Sequence, residues 1–267
     1  MKKVETSELN ERASVLALFC RYLHGISTII RDFDGLRIYL KINKLNKKEC
    51  FEKLSLLLGV PSKDIQLYWD EIQKNSKFFK DTHRLGELAI GNYYYDNGFL
   101  PFHNILYIIV RSTKPKNIVE TGCYVGHSSA TILEAINKND FGHLYTIDLP
   151  LYGETVEDGM TYTLPNNQRS GYIIPFYLRK NWTLLEGKAE DLLESLLKKI
   201  KKTDIFFHDS LHTYNHMLWE FKTVWPYLEN HGILISDDVS WNDAFKDFSM
   251  KNKIKPHYIK NLGILYK

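Results

Sequence analysis

Three acidic residues in the second half of the chain, Asp209 and the adjacent pair Asp237–Asp238, each follow a short apolar run, Ile205–Phe207 and Ile233–Ile235. Apolar runs bounded by charge or glycine read as buried parallel strands. In an open α/β sheet, groups just beyond the carboxyl ends of the strands face the ligand crevice. Two neighbouring strand ends would therefore bring three carboxylates to one place, and hard oxygen donors of that kind suit Mg²⁺ or Ca²⁺. His212 lies three residues past Asp209. A cation that polarises a hydroxyl oxygen, beside an imidazole with an ordinary pKa of ~6.5 that accepts its proton, is a constellation for group transfer to oxygen.

Other uses of the same residues compete. Asp238, Ser240 and Asp243 could cap a helix starting at Trp241, and Asp209 could cap the helix after it. His208, His212 and His216 recur every four residues, which on one continuous helix would stack three imidazoles on a face and suit a zinc hydrolase. Phe206–His208 belongs to a strand-like run, however, so helical register should begin only after Asp209. The fourfold spacing then means little, and His208 should point away from Asp209.

The elements that must position these groups follow a regular rhythm. The chain alternates strand and helix from about Asn104: strand Asn117–Thr121, helix Ser128–Asn137, strand Leu144–Asp148 and strand Thr183–Glu186. Helix Ala189–Ile200 follows, then a strand ending at Asp209, helix Tyr214–Glu229, strand Gly232–Asp237 and helix Trp241–Met250. Short strands near His257–Ile259 and Gly263–Tyr266 close the chain. The βαβ succession implies a doubly wound, mostly parallel sheet. The last two strands are too close in sequence for a parallel crossover, so one antiparallel strand belongs near the edge.

Residues 1–90 read as a helical N-terminal region, a lid or a dimerisation surface. Ser7 would cap a first helix, Asn46 a second with Phe51, Leu54 and Leu58 on one face, and Ser62 a third carrying Ile65, Trp69, Ile72 and Phe79. Residues 91–267 form the second unit, interrupted at 149–181 by an aromatic-rich stretch with the look of a functional lid. Its Tyr162, Tyr172 and Phe176, with Arg169 and Arg179 nearby, could cover a sugar face or a polyketide ring, or equally serve as ordinary packing.

Between the first strand and its helix lies Glu120-Thr-Gly-Cys-Tyr-Val-Gly-His-Ser128. Gly122 and Gly126 let the backbone turn tightly, and the helix N-terminus beyond offers an anion site. Asp148, at the end of the next strand, can accept hydrogen bonds from ribose hydroxyls. A nicotinamide cofactor would want glycine where Tyr124 stands, and there is no YxxxK pair. S-adenosylmethionine fits better: its carboxylate needs one anion site and Glu120 can meet its ammonium.

The bulk properties agree. The chain has 267 residues, 44% apolar and 25% charged, with a formal charge of +3, which is ordinary for a globular protein and too weak to suggest nucleic acid. The basic run Lys198, Lys199, Lys201 and Lys202 reads as the solvated end of a helix. Cys20, Cys50 and Cys123 are odd in number and lack CxxC spacing, which favours a reducing compartment. No apolar stretch approaches the ~20 residues of a membrane span. The expected location is cytoplasmic.

The runs ETGCYVGHSS, LYTID, WTLLEGKAED, HDSLH and ISDD together resemble class I S-adenosylmethionine-dependent methyltransferases. Within that class they are most similar to metal-dependent O-methyltransferases of the catechol and macrolide-sugar types. The resemblance covers roughly Asn104–Lys267 and implies a seven-stranded Rossmann-like sheet. By position it implies that Gly122, Tyr124, Gly126 and Ser128 surround the methionine end, with Glu120 as ammonium partner. Asp148 would hold the ribose, and Ala189 and Glu190 would flank the adenine. Asp209 would face the cofactor and, with Asp237 and Asp238, hold the metal, expected to be Mg²⁺ or another hard divalent cation. His212, assisted by Asp209, would serve as general base. The catechol type carries Asn at the position of Asp238 and Lys at that of His212, so the departure moves the expected acceptor toward a sugar or other small-molecule hydroxyl. A non-catalytic nucleotide-binding Rossmann module is the alternative. Neither nucleic acid nor membrane is an expected partner, and the extra helices would suit a homodimer.

Overall fold

The computed structural model of the chain describes residues 46–90, 101–155, 161–165 and 168–267. The expected helix capped by Ser7, and Cys20, lie outside the described residues. Helix α1 (Lys47–Leu58) starts at a capping box: the Asn46 side chain accepts from Glu49 N at 3.0 Å, and Glu49 accepts from Asn46 N at 2.9 Å. Gly59 ends it in the left-handed conformation, φ 65°, as a C-terminal glycine should. The third expected helix is two. Helix α2 (Ser62–Gln73) stops, and α3 (Ser76–Ile90) begins where Asn75 Oδ1 accepts from Phe78 N at 3.1 Å. Phe79 therefore belongs to α3; the side chain of Asn75 competes with the helical backbone and starts a new turn.

Helix α4 (Pro101–Thr113) precedes the sheet and was not marked by its periodicity. Its run Ile105–Val110 is buried at every position, so it has no polar face to betray a helix. Then follow β1 (Asn117–Thr121), α5 (His127–Asn139), β2 (His143–Asp148), a hairpin of β3 (Tyr152–Thr155) and β4 (Thr161–Thr163), a 3₁₀ turn over Phe176–Asn181, and β5 (Trp182–Glu186). The remainder is α6 (Ala189–Ile200), β6 (Thr203–His208), α7 (Tyr214–Val224), β7 (Leu228–Ser236), α8 (Ala244–Lys251), β8 (His257–Ile259) and β9 (Leu262–Tyr266). Two boundaries differ from expectation. Pro226 cannot continue α7, so the chain passes through a short 3₁₀ turn into β7, which claims Leu228 and Glu229. Helix α8 starts at Ala244, whose N–H is taken by Asn242 Oδ1 at 2.9 Å, so Asn242 supplies the cap expected of Ser240 and Asp243.

The main sheet runs β5-β2-β1-β6-β7-β9-β8. The first five strands are parallel, and β9 is antiparallel to both β7 and β8. This is the expected doubly wound, Rossmann-like architecture with its antiparallel strand one place from the edge. Side chains alternate between two cores, as period two requires. Ile118, Ile205, Phe207, Ile233 and Ile235 pack with α1 to α5, while Val119, Phe206, Leu234 and Leu265 pack with α6, α7 and α8. Cys50, Phe51, Leu54, Ile65, Ile72 and Phe78 of the N-terminal helices share the first core. Lys198 and Lys199 form the exposed last turn of α6, as expected. Among the described residues no helix is long and apolar enough to cross a membrane.

Candidate active site

Strand register sets the site. Thr121 of β1 pairs with His208 of β6, and His208 with Ser236 of β7. The ladder continues one step: Asp209 N donates to Thr121 O and Asp237 N to His208 O, each at 2.9 Å. Gly122, Asp209 and Asp237 thus stand side by side at the carboxyl edge, where such sheets bind ligands. Asp148 ends β2 beside Glu186 of β5 on the same edge. Gly122 has φ 88°, and a Cβ there would lie 1.9 Å from the Asp209 carbonyl oxygen. Only glycine lets β1 turn away this close to its neighbour.

Three of the expected ligand-binding groups are engaged with the protein itself. Glu120 is fully buried and accepts from Ser128 Oγ at 2.7 Å, Ser129 Oγ at 2.5 Å and Thr146 Oγ1 at 2.8 Å. Ser128, on the first turn of α5, is spent on that bond. Asp148 accepts from the backbone N–H groups of Cys123 at 2.7 Å and Tyr124 at 3.2 Å, and from the Ser170 hydroxyl. Tyr124 is partly exposed, with φ 50°. The insertion runs over the glycine turn: Gly171 N donates to Tyr124 O at 2.8 Å and Ile173 N to Val125 O at 3.2 Å. Tyr172 is buried there with Val125, Leu164 and Ile173. Arg169 is paired with Glu186 at 2.5 Å, and Arg179 lies over Phe176, centre at 4.6 Å. The side chain of Tyr162 lies outside the described residues.

Burial pushes Glu120 up from 4.5 to about 7 against the pull of its three hydroxyl donors. The folded state therefore binds this proton more tightly than the unfolded chain. Stability from the group is fully present below 4.5 and is lost as pH rises through about 7, a loss of about 3 kcal/mol. Denaturant titrations across that interval should show the decline in the parental protein and a flatter profile in Glu120→Gln. Equal slopes in the two proteins would contradict the assignment.

Around Asp209 the arrangement is chemically richer. His212 Nε2 is 3.6 Å from Asp209 Oδ1, an ion-pair distance rather than a hydrogen bond. Burial raises the Asp209 pKa, the nearby Asp238 charge adds to the rise, and His212 opposes it. The His212 ring is buried between His208 and Trp241, each with its centre 5.1 Å away. Asn242 Nδ2 donates to His212 O at 3.0 Å and fastens the loop after β7 to the loop after β6. Helix α7 begins after Thr213, with no side-chain cap from Asp209, so the capping role considered for Asp209 is not seen.

Asp237 and Asp238 converge on one group. Asn261 Nδ2, from the turn between β8 and β9, donates to Asp237 Oδ1 at 3.3 Å and to Asp238 Oδ1. One amide nitrogen thus sits where two carboxylate oxygens meet, as a cation would. Asp238 has φ 48°, a conformation costing roughly 1 kcal/mol or more for a non-glycine residue. The third acid stays with His212. Among the described residues no three His, Cys, Asp or Glu side chains are grouped so as to hold a metal ion. The donors have the right chemistry and two of them the right direction, but the expected triad is not gathered.

The three histidines meet, though not on one helix: His208 ends β6, His212 is in the loop after it and His216 is on α7. His208 faces the α7 side of the sheet with Phe206, and His216 is on α7. Between them lies Glu220, fully buried, which neither spacing nor motif singled out. It accepts from Thr121 Oγ1 at 2.7 Å and Ser210 Oγ at 3.0 Å, and contacts His208 Nδ1 at 2.6 Å and His216 Nε2 at 3.0 Å. Burial alone would raise its pKa, yet the two histidines and their bonds hold it well below the carboxylate range. His216 Nδ1 also meets Glu190 Oε1 at 3.0 Å. Burial works against a charge on His216, but Glu220 and Glu190 outweigh it and raise the pKa. Ala189 and Glu190 open α6 on the carboxyl side of β5. Met217, Glu220, Phe221 and Val224 share the buried face of α7; a lone carboxylate at helical spacing on an apolar face was the available signal.

Residues 119–239 match a family model described as a methyltransferase domain. Among solved structures, a putative caffeoyl-CoA O-methyltransferase from Staphylococcus aureus is 18% identical with a TM-score of 0.52, covering 78% of this chain and 100% of that one. An O-methyltransferase from Bacillus cereus, solved in complex with SAH, is 13% identical with a TM-score of 0.50, covering 70% and 91%. At these identities the likeness carries the fold. No curated protein matches the chain.

Proposed function

Residues 119–239 match a methyltransferase-domain model, and we propose that the chain is a class I, S-adenosylmethionine-dependent enzyme that methylates a hydroxyl oxygen of a small molecule or sugar. The observation that carries this reading is the meeting of a glycine turn, a strand-end carboxylate and an imidazole: Gly122 against the Asp209 backbone, and His212 Nε2 3.6 Å from Asp209 Oδ1.

When bound, S-adenosylmethionine supplies a methyl group on a sulfonium, and a divalent cation supplies a Lewis-acid contact for the acceptor oxygen. The protein's part is to hold, orient and deprotonate. The Gly122 turn admits the sulfonium end close to the backbone. Asp148 accepts from the ribose hydroxyls, exchanging one of its present partners to do so. Glu120 lies behind the turn and acts on the ammonium end by fixing Ser128. Glu190, next to Ala189, borders the adenine side. His212 Nε2 takes the hydroxyl proton as the oxygen forms its bond to the methyl carbon and the carbon–sulfur bond breaks. Asp209 then lies beside the imidazolium and stabilises it. Such a base is worth typically ~10²–10⁴ in rate.

For Asp209, Asp237 and Asp238 to hold the cation, Asn261 must give up its bridge between the last two and Asp209 must turn from His212 toward them. An Asp237→Ala variant should then lose roughly 10-fold or more in kcat, and a chelator should act on the parental protein but add little to the variant. The assay is the gain of one methyl by glycosides and phenols, read by mass. An Asp237→Ala variant that methylates at the parental rate with chelator present removes the metal from the account. A parental protein that binds S-adenosylhomocysteine yet methylates no hydroxyl leaves the non-catalytic binding module.

A further inference from the structure

A hydrogen bond joins His216 of α7 to Glu190 of α6, and neither the cation, the base nor the acceptor requires it. We infer that His216 is a positioning residue for the cofactor: its Nδ1 holds the Glu190 carboxylate so that the outer oxygen, Oε2, accepts from the exocyclic amino group of the base and selects an aminopurine. The inference rests on the reading of an adenosyl cofactor along this edge.

The two ends of one ring carry the argument. His216 Nδ1 lies 3.0 Å from Glu190 Oε1, and Nε2 lies 3.0 Å from Glu220 Oε1. A carboxylate accepts and does not donate, so the ring donates from both nitrogens. Ser210 Oγ also touches Nε2 at 3.2 Å, and the Trp219 ring packs alongside with its centre at 5.6 Å. The imidazole is therefore fixed in place and in direction before any ligand arrives.

Glu190 is placed differently at its two oxygens. Its side chain is 51% exposed against 8% for His216, so it reaches from the open edge to a buried donor. Oε1 is committed inward, and among the described residues Oε2 has no partner. Position along the edge gives that oxygen its ligand. The strand order β5-β2-β1 sets Glu186 beside Asp148, and α6 opens just past Glu186 with Ala189 and Glu190. With the sulfur over Gly122 of β1 and the ribose on Asp148 of β2, the base continues toward β5 and α6. An amino group donates to a carboxylate oxygen there, whereas a carbonyl in its place would set two acceptors face to face. A hydrogen bond to a charged group is worth ~10–100-fold in affinity, and more of it is realised when the side chain is held beforehand. His216 does the holding; an unheld glutamate would lose rotamer freedom on binding.

The test compares S-adenosylhomocysteine with S-inosylhomocysteine, which carries a carbonyl in place of the amino group, by calorimetry. The parental protein should bind the adenosyl compound ~10–100-fold more tightly, and Glu190→Ala should bring the two within about threefold. Two replacements of His216 then separate positioning from mere support of the buried Glu220. Asparagine places an amide N–H where Nδ1 stood and reaches Glu190. Glutamine places one where Nε2 stood and reaches Glu220. His216→Asn should keep the preference and His216→Gln should lose it by ~10-fold or more. A preference lost in both, kept in both, or kept only in the glutamine variant overturns the inference. In the Glu190→Ala background, His216→Gln should lower the preference no further, as expected of a residue acting through another; a further loss also counts against the inference. Should the His216 variants fail to fold, the parental protein and Glu190→Ala decide, since Glu190 is exposed. Equal affinities in the parent, or an undiminished preference in Glu190→Ala, overturn the inference alone. A parental protein that binds neither compound overturns the adenosyl reading and the inference with it.

Discussion

Replacing His212 by alanine should lower kcat by ~10²–10⁴ while leaving the affinity for S-adenosylhomocysteine close to parental. The reason is that the ring belongs to the loop after β6, beside Asp209, rather than to the glycine turn proposed to hold the cofactor. It is buried, flanked by His208 and Trp241, and its Nε2 lies 3.6 Å from the Asp209 carboxylate. An aliphatic hydroxyl is a poor nucleophile until its proton leaves, so the loss should fall on the chemical step. Steady-state rates give kcat, and calorimetry with S-adenosylhomocysteine gives the binding term. A variant that binds as before and turns over within about twofold of the parent would show that another group removes the proton.

Among the described glycines, Gly122→Ala should be the most damaging methyl to add. Its φ of 88° is strained for any L side chain, and the new Cβ would lie 1.9 Å from the Asp209 carbonyl oxygen and 2.5 Å from its carbonyl carbon. Neither neighbour is a flexible side-chain end; both are backbone of the adjacent strand. Left-handed strain costs about 1–3 kcal/mol and overpacking a further 1–3, so a loss of about 3 kcal/mol or more is expected in urea unfolding. Because β1 and β6 must part to make room, binding of S-adenosylhomocysteine should fall with it. A variant with parental midpoint and parental affinity would mean that the turn is not held against Asp209.

Much of this site was legible from residue order. The apolar runs before Asp209 and Asp237 define β6 and β7, and parallel register then forces the two acids to adjacent positions. Gly122 and Asp148 follow in the same way from the ends of β1 and β2. What escaped was everything decided by side-chain partners across elements. Glu120 and Ser128 look like ligand-facing residues in a linear motif, but the alternation of β1 turns Glu120 into the interior, where three hydroxyls hold it. Asn261 arrives from the far end of the chain, and only the antiparallel turn of β8 and β9 carries it to Asp237 and Asp238. The fourfold histidine spacing looked accidental once His208 was placed on a strand. The rings meet because β6 and α7 pack against each other across Glu220, a contact no sequence period encodes. Helix α4 was hidden for the opposite reason, being apolar on all sides.

The central claim is that the carboxyl edge from Asp148 to Asp209 receives a sulfonium cofactor with its reactive end toward His212. A crystal structure of the protein with S-adenosylhomocysteine tests it most directly. The account predicts the ribose on Asp148, the sulfur over the Gly122 turn and His212 on the far side of the sulfur from the ribose. A ligand bound elsewhere, or one whose sulfur is walled off from His212, would contradict it.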